Sequence, residues 1–371
     1  MRICIIGGGN VGTAIAADLA REGKNEVVML TGRPKKWEYE IESVDHTQDI
    51  CFKSRLTLVT DNPELAMERA EVVIITTPSF LMQEKIEEIA PYVQENTLVG
   101  VMPGTGGFEY MCGDLLKKGI VVFGFDRVVP ISRVIEYGRK VSAVKKKRVR
   151  LAAIPQRETE RVAKLMSQLF EMEVLPLKNY LTVTFTPSNP ILHTSRCYSM
   201  FKDYEQGKYW DRMIMFYEEW DDASSTILLG CDDELKMICD ALDKMDMSGV
   251  IHLKEHYESE TLSQVTNKIK TIPSHQGLTS PMKKEENGYV PDFSSRYFIE
   301  DIPFGLCILK GFAVICKVDT PYMDRILMWY QKQTGKEYLV DGKLEGKDIA
   351  SCAIPQNYGI HTVEDIYGFY L

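Results

Sequence analysis

Long hydrophobic runs are missing from this 371-residue sequence. No uninterrupted apolar stretch approaches the ~20 residues that a membrane-spanning helix needs. The N-terminal MRICIIGGGN passes directly from a short apolar run into glycines, without the cleavage site of a signal peptide. We therefore expect a cytoplasmic protein. At about 100 to 200 residues per domain, the length favours two domains.

The sequence also lacks a net positive charge and closely spaced cysteine pairs. The formal net charge is −9 and the pI is near 5.4, whereas nucleic acids and anionic membranes are bound through concentrated positive charge. The nine cysteines form no CxxC pair, so we expect neither a disulfide framework nor a cysteine-rich zinc site, and we predict that Cys4, Cys307 and Cys316 are buried thiols. We expect small-molecule partners and no nucleic acid, membrane or metal. A homodimer is an option that the sequence leaves open.

The first half of the sequence alternates strand-like and helical segments. Strands are predicted at RICII, EVVML, EVVIITT, TLVGVMP and KKKRVRLAAI, and helices at VGTAIAADLARE, SFLMQEKIEEIAPYV and RETERVAKLMSQLFE. This alternation predicts an α/β fold, a Rossmann-type doubly wound parallel sheet with helices on both faces.

The second half has mainly helical periodicity. Helices are predicted at WDRMIMFYEEWDDASSTILLG, DDELKMICDALDKM and PYMDRILMWYQKQTG, and a long loop at PSHQGLTSPMKKEENGYVPDFSS. We therefore predict a dinucleotide-binding domain over residues 1–180 and a mainly α-helical substrate domain over residues 181–371.

A glycine loop follows the first predicted strand. The segment GGGNVGTAIAADLA has glycines in the pattern G-x-G-x-x-G at Gly7, Gly9 and Gly12, between the strand and the helix that a dinucleotide-binding unit requires. Glycines let backbone N–H groups approach a pyrophosphate at the positive end of the helix. We predict that this loop, with Asn10 and Val11, binds a dinucleotide. A glycine turn used only for packing is the alternative.

The end of the second strand indicates which dinucleotide binds. An NAD site commonly places Asp or Glu there to bind the ribose hydroxyls, but this chain has LTGRPKKW, with Thr31, Arg33 and Lys35 and no acid before Glu38. We predict that these three residues bind the cofactor and that NADP is favoured over NAD. A solvated basic turn is the alternative.

One of the six histidines follows a helix-start signal in SNPILHTS. Pro190 suits the first position of a helix capped by Ser188 or Asn189, which places His193 in the first turn. The helix dipole disfavours an imidazolium there, so a carboxylate is needed nearby for the ring to hold a proton near neutral pH. A structural histidine with satisfied hydrogen bonds is the alternative.

A second candidate segment is SSRYFIEDIPFGL, which contains Arg296, Glu300 and Asp301 before a proline and an apolar helix. Judged from the local pattern alone, the simplest role for Asp301 is that of N-cap of the following helix.

The order of these segments resembles the opine dehydrogenases of the octopine and nopaline type. The resemblance extends over nearly the whole chain, and NPILH and EDIPFG are its most specific parts; VPISR, the basic strand ending in AAIP and the glycine loop also fit. It implies an enzyme that reductively condenses an amino acid with a 2-oxo acid such as pyruvate, in a cleft between the domains. It further implies that His193 is the acid–base residue, that Asp301 is its carboxylate partner and that Arg296 binds a substrate carboxylate.

Three other functions remain to be compared with this one. A ketopantoate reductase shares the glycine loop and a helical second domain, but uses a lysine, and no lysine stands in a comparable motif here. The segment HLKEH, from His252 to His256, fits the H-x-x-E-H pattern of inverted zinc peptidases, although a solvated helix face explains it equally simply. A protein that binds NADP without turnover is the third alternative.

Overall fold

Runs of valine and isoleucine in the first half of the chain form the central strands of a sheet. Such β-branched side chains favour pleated, buried positions, and RICII, VVII and LVGV are buried at every residue. The computed structural model describes the backbone of residues 1–371 and the side chains of all of them except Ser274. The strands of this half are β1 (Arg2–Ile6), β2 (Glu26–Leu30), β3 (Glu40–Asp45), β4 (Ile50–Arg55), β5 (Leu58–Thr60), β6 (Val72–Ile75), β7 (Leu98–Val101), β8 (Val122–Phe125), β9 (Pro130–Glu136), β10 (Lys140–Lys145), β11 (Arg148–Ile154) and β12 (Glu173–Pro176).

The larger sheet has eight strands in the order β12-β11-β8-β7-β6-β1-β2-β5. Its pairs are parallel except for β8 with β11, which are antiparallel. The prediction of a doubly wound, parallel-dominated sheet is confirmed, but the basic strand KKKRVRLAAI breaks the parallel pattern. Parallel neighbours need a crossover connection, whereas the chain between β8 and β11 forms β9 and β10 instead of a crossover helix.

A second sheet was not predicted. Its four strands lie in the order β4-β3-β10-β9, and their sequences are largely polar. Ile41 of β3 and Val141 of β10 are buried in one core with Ile15, which belongs to the first helix. The helices of this half are α1 (Asn10–Leu19), α2 (Pro63–Met67), α3 (Ser79–Ile89), α4 (Phe108–Met111), α5 (Gly113–Lys117), α6 (Thr159–Phe170) and α7 (Leu181–Thr184).

The second half is mainly helical, as predicted, with a small hairpin. Its helices are α8 (Asn189–Phe201), α9 (Asp222–Asp240), α10 (Leu253–His256), α11 (Leu262–Thr271), α12 (Arg296–Ile299), a π-helical turn (Ile302–Leu306), α13 (Cys307–Cys316), α14 (Pro321–Thr334) and α15 (Val363–Tyr370). The hairpin strands β13 (Met282–Glu285) and β14 (Gly288–Pro291) lie in the segment that was expected to be a loop.

The helix predicted over WDRMIMFYEEWDDASSTILLG is confirmed only from Asp222 onwards. Residues 210–221 form bridges and turns, and only Asp222–Asp240 is helical. Trp210 pairs with Tyr289 and Met215 with Thr279, so the backbone hydrogen bonds of this segment are made to the hairpin region. Long-range pairing has overridden the helical periodicity here.

The chain divides into two compact units, Met1–Thr184 with Tyr370–Leu371, and Phe185–Phe369. The division falls at Thr184 instead of residue 180, and the two C-terminal residues belong to the first unit. The hydroxyls of Thr184 and Tyr370 both bond to the buried Glu109 of the first unit.

The cysteines are all free thiols. Cys4 and Cys307 are buried as predicted, but Cys316 is partly exposed and Cys51 is exposed. Burial raises the pKa of Cys4 to about 12, so this thiol stays protonated. Within the described part of the chain, no helix is both long and apolar enough to cross a membrane.

Candidate functional site

The glycine loop in the first unit connects β1 to α1. Gly7 has φ +106°, which other residues rarely adopt. A Cβ on Gly12 would lie 1.8 Å from the Gly7 carbonyl oxygen, whereas a Cβ on Gly9 would meet nothing within 4 Å. Gly7 thus forms the tight turn, Gly12 allows the close helix packing, and Gly9 leaves the approach to a pyrophosphate open, as a dinucleotide loop requires. The residues present therefore fit a dinucleotide.

The two loop residues between these glycines have other contacts. The Asn10 side chain accepts a hydrogen bond from the Val134 backbone N–H of β9, at 2.8 Å. Val11 is partly buried against the core. Asn10 and Val11 therefore place their backbone N–H groups at the start of α1, and the Asn10 side chain, although exposed, is occupied by its hydrogen bond to β9.

The residues that follow β2 have neutral or basic side chains and include no acid before Glu38. Thr31 is 7% exposed, and its hydroxyl lies 3.4 Å from the Tyr137 hydroxyl and 3.5 Å from the Arg33 backbone nitrogen. The side chains of Arg33 and Lys35 are exposed. The first acid after the strand, Glu38, forms an ion pair with Arg139 at 2.8 Å.

Sequence reasoning missed two aromatic residues beside this loop. The Trp37 ring lies so close to Gly8 that a Cβ there would come within 2.5 Å of it. The Tyr137 ring packs edge-on to Trp37, with ring centroids 5.8 Å apart. Tyr137 lies between β9 and β10, 100 residues after Trp37, so no local pattern in the sequence indicates its position.

In the second unit, His193 is the fifth residue of α8, just after the first helical turn, and Ser188 occupies the N-cap position. Helix α8 begins at Asn189 with proline in its first turn, as the SNPILH pattern predicts. The His193 Nδ1 lies 2.8 Å from Oδ2 of Asp301. A carboxylate accepts the Nδ1 proton in both charge states of the ring, which leaves Nε2 to exchange protons.

Asp301 occupies the N-cap position of the π-helical turn but makes no capping hydrogen bond with its side chain. Its carboxylate turns to His193 instead, and both side chains are 13% exposed. Burial raises the pKa of Asp301 above its ordinary value, and His193 opposes this shift. The N-cap alternative for Asp301 is therefore wrong.

The Nε2 atom of His193 lies 3.1 Å from the hydroxyl of Tyr217. Burial raises the pKa of Tyr217 far above its ordinary value, so the phenol keeps its proton and can donate it to the neutral imidazole. Tyr297 packs on the His193 ring at a centroid distance of 4.4 Å, and Phe216 packs edge-on at 5.5 Å. None of these aromatic residues was predicted from the sequence.

The backbone that carries Tyr217 is held by a buried arginine. Arg196, one turn after His193 on α8, is 2% exposed. Its guanidinium donates to the carbonyl oxygens of Phe216 at 3.0 Å and Glu219 at 2.6 Å, and to the Ser224 hydroxyl at 3.0 Å. One helix therefore presents His193 and also orients the phenol that contacts it.

Arg296 lies on α12, shortly before Asp301. Its side chain is 65% exposed and forms an ion pair with Glu300 at 2.6 Å. Arg296 is the first residue of α12, and Asp301 is the N-cap of the π-helical turn that follows. The Arg296 guanidinium is paired with the neighbouring Glu300.

The HLKEH segment does not form a metal centre. His252 precedes the four-residue helix α10 as its N-cap, and its Nδ1 lies 3.5 Å from the Asp232 carboxylate. Among the residues that the structure describes, no group of three or more His, Cys, Asp or Glu could hold a metal ion.

Comparison with known proteins identifies the family. The model of the NAD/NADP octopine/nopaline dehydrogenase alpha-helical domain matches residues 176–334. The opine dehydrogenase of Haliotis discus hannai is 35% identical over 339 residues, which cover 85% of this chain and 82% of that protein. The octopine dehydrogenase of Pecten maximus is 30% identical, with 99% of this chain and 98% of that protein covered. This chain belongs to the opine dehydrogenase family.

The structural comparison agrees with this assignment. A solved structure of octopine dehydrogenase with NADH and L-arginine has a TM-score of 0.88 and 30% identity, and covers 99% of this chain and 97% of that one. The ketopantoate reductase PanE/ApbA model matches only residues 3–124, the part that contains the glycine loop. The resemblance seen in the sequence is therefore confirmed over the whole length.

Proposed function

We propose that this opine dehydrogenase family member condenses an amino acid with a 2-oxo acid such as pyruvate and reduces the resulting imine. The observation that carries the proposal is the hydrogen bond of 2.8 Å between His193 Nδ1 and Asp301. It creates an acid–base pair in the helical unit of an oxidoreductase family that acts on CH–NH donors. Related structures hold octopine dehydrogenase with NADH and pyruvate, or with NADH and L-arginine.

The chemistry needs a group that gives and takes protons near neutral pH, and His193 has the geometry for it. Asp301 holds Nδ1, so Nε2 is the atom that protonates the keto oxygen and later receives a proton. The Tyr217 hydroxyl at 3.1 Å marks where an oxygen partner of Nε2 can lie. When bound, the reduced nicotinamide supplies the hydride.

Substrate carboxylates require a cation, and Arg296 is the candidate. A guanidinium is permanently charged and can bind a carboxylate through two N–H groups. The exposed position of Arg296 allows a substrate carboxylate to replace Glu300 as its partner. We propose this exchange as the way in which Arg296 takes part in binding.

The proposed cofactor preference is NADP over NAD. Supporting it, Thr31 and the exposed Arg33 and Lys35 follow β2, and the nearest acid, Glu38, is paired with Arg139 at 2.8 Å. A 2′-phosphate would find cations there, whereas ribose hydroxyls would find no free carboxylate from residues 31–37 of the described chain.

The test is the oxidation of NADPH and NADH with pyruvate against a panel of amino acids. We expect consumption of the reduced cofactor only when both an amine and the oxo acid are present. Equal rates without amine would favour a simple 2-oxo acid reductase, and tight binding without turnover would favour a sensor. His193→Ala should lower turnover at least ~100-fold while cofactor affinity stays normal, and the exposed His361→Ala serves as the matched control.

A further inference from the structure

A second histidine lies next to the His193–Asp301 pair. We propose that His275 is a second catalytic base, which removes a proton from the ammonium group of the amino-acid substrate. The inference deepens the proposed function and rests on it, because only an amine-dependent reaction needs such a base.

Tyr217 connects the two histidines in space. Its hydroxyl lies 3.1 Å from Nε2 of His193, and its ring stacks on the His275 ring with centroids 4.0 Å apart and an interplanar angle of 25°. Tyr217 is 5% exposed, and its neighbour Phe216 is held by Arg196 at 3.0 Å. Both imidazoles thus contact the same phenol side chain.

The Nδ1 atom of His275 is buried and has no hydrogen-bond partner in the described part of the chain. Buried polar atoms without a partner are rare in native proteins. In the tautomer that leaves the lone pair on Nδ1, this atom can accept a proton from an N–H donor that enters with the substrate. An ammonium group has the required charge and donor geometry.

The surroundings of the two histidines differ in a way that suits opposite roles. Nδ1 of His193 donates a hydrogen bond to Asp301 at 2.8 Å, whereas Nδ1 of His275 has no hydrogen-bond partner among the described residues. Burial, and next the positive charge of His193, lower the pKa of His275 below its ordinary value. The Tyr217 phenol that faces both rings is uncharged.

The proposed proton transfers balance. His275 takes one proton from the ammonium, and the free amine attacks the keto carbon while the C=O electron pair moves to oxygen. Protonated His193 gives a proton to that oxygen and then takes one from the nitrogen, which leaves a neutral carbinolamine. His275 returns its proton to the hydroxyl, the C–O bond breaks, water leaves, and the nitrogen lone pair forms the C=N bond. Both histidines regain their starting states before reduction.

The experiment measures kcat/KM for the amino acid as a function of pH in His275→Gln and His275→Asn. At pH 7 the substrate is an ammonium ion, and we expect kcat/KM to fall ~100-fold, within the usual range for a general base. Near pH 9.5 the free amine is abundant, and the difference from the native enzyme should shrink to less than ~10-fold. The exposed His361→Gln is the control and should match the native enzyme at every pH.

Other outcomes overturn the proposal. A defect of constant size from pH 7 to 9.5, or loss of NADPH binding in both variants, would assign His275 a structural role. If the native enzyme consumes NADPH without needing an amine, the proposed function itself fails. If the native enzyme is amine-dependent and only the pH test fails, His275 alone loses its role.

Discussion

Replacement of the buried Glu109 by glutamine should change how the stability of the protein depends on pH. Glu109 lies on α4 and is 0% exposed. One carboxyl oxygen accepts hydrogen bonds from the hydroxyls of Thr184 and Tyr370, and the other has no partner among the described residues. Burial, the largest cause, raises the pKa of Glu109 from 4.5 to about 7. The folded protein therefore holds this proton more tightly than the unfolded chain does.

The direction and size of the effect follow from this difference. Glu109 contributes its full stability below pH 4.5, and this contribution is lost as the pH rises towards about 7. At about 1.4 kcal/mol per pH unit, the loss amounts to about 3 kcal/mol. The amide that replaces the carboxyl group in Glu109→Gln has no charge at any pH and keeps an oxygen that can accept from Thr184 and Tyr370. Relative to the native protein, the variant should therefore gain about 3 kcal/mol between pH 4.5 and 7.5.

The assay is thermal and urea-induced unfolding of both proteins at several pH values from 4.5 to 8.5. The quantity of interest is the stability difference between the variant and the native protein, because all other titrating groups cancel in it. Glu160→Gln removes an exposed carboxylate from α6 and serves as the control, with a nearly constant difference expected. A constant difference for Glu109→Gln as well would refute the argument that burial keeps Glu109 protonated.

Three further changes test the candidate sites. Arg33→Ala should weaken NADPH binding roughly 10 to 100-fold, as measured by fluorescence titration, and should barely change NADH binding, because only NADPH carries the 2′-phosphate. Equal losses of affinity for both cofactors would show that this turn does not contact the 2′-phosphate. Asp301→Asn should lower kcat at least ~100-fold and move the alkaline limb of the pH–rate profile for condensation and reduction to lower pH, because the protonated ring that acts as the acid loses its carboxylate; an unchanged profile would contradict the pairing with His193. Arg296→Lys should raise KM for at least one carboxylate substrate, since an ammonium cannot form the bidentate contact, and unchanged KM values for all substrates would remove Arg296 from binding.

Local patterns in the sequence were sufficient for the features that depend on neighbouring residues. The glycine loop could be predicted because Gly7, Gly9 and Gly12 form their turn and packing within one strand–helix connection. The start of α8 was predicted to within one residue, because proline acts within the first helical turn, although the Ser188 side chain makes no capping hydrogen bond. Apolar β-branched runs likewise indicated the central strands of the large sheet, whose buried faces need no information from elsewhere in the chain.

The tertiary structure decided the features that depend on residues far apart in the chain. The polar strands of the second sheet are stabilised by pairing with one another and by a core shared with α1, which their own periodicity does not reveal. The local sequence pattern indicated an N-cap role for Asp301. In the folded protein its carboxylate turns instead towards His193, which lies 108 residues earlier in the chain. Tyr217 and His275 lie in segments expected to be helix and loop. Tyr217 contacts His193 and stacks on His275 because Arg196 and the hairpin pairing hold segment 210–221 in a non-helical path. Side-chain hydrogen bonds and ring contacts of this kind carry no sequence period, so the sequence could name His193 and, through the family resemblance, Asp301, but not the aromatic residues that surround them.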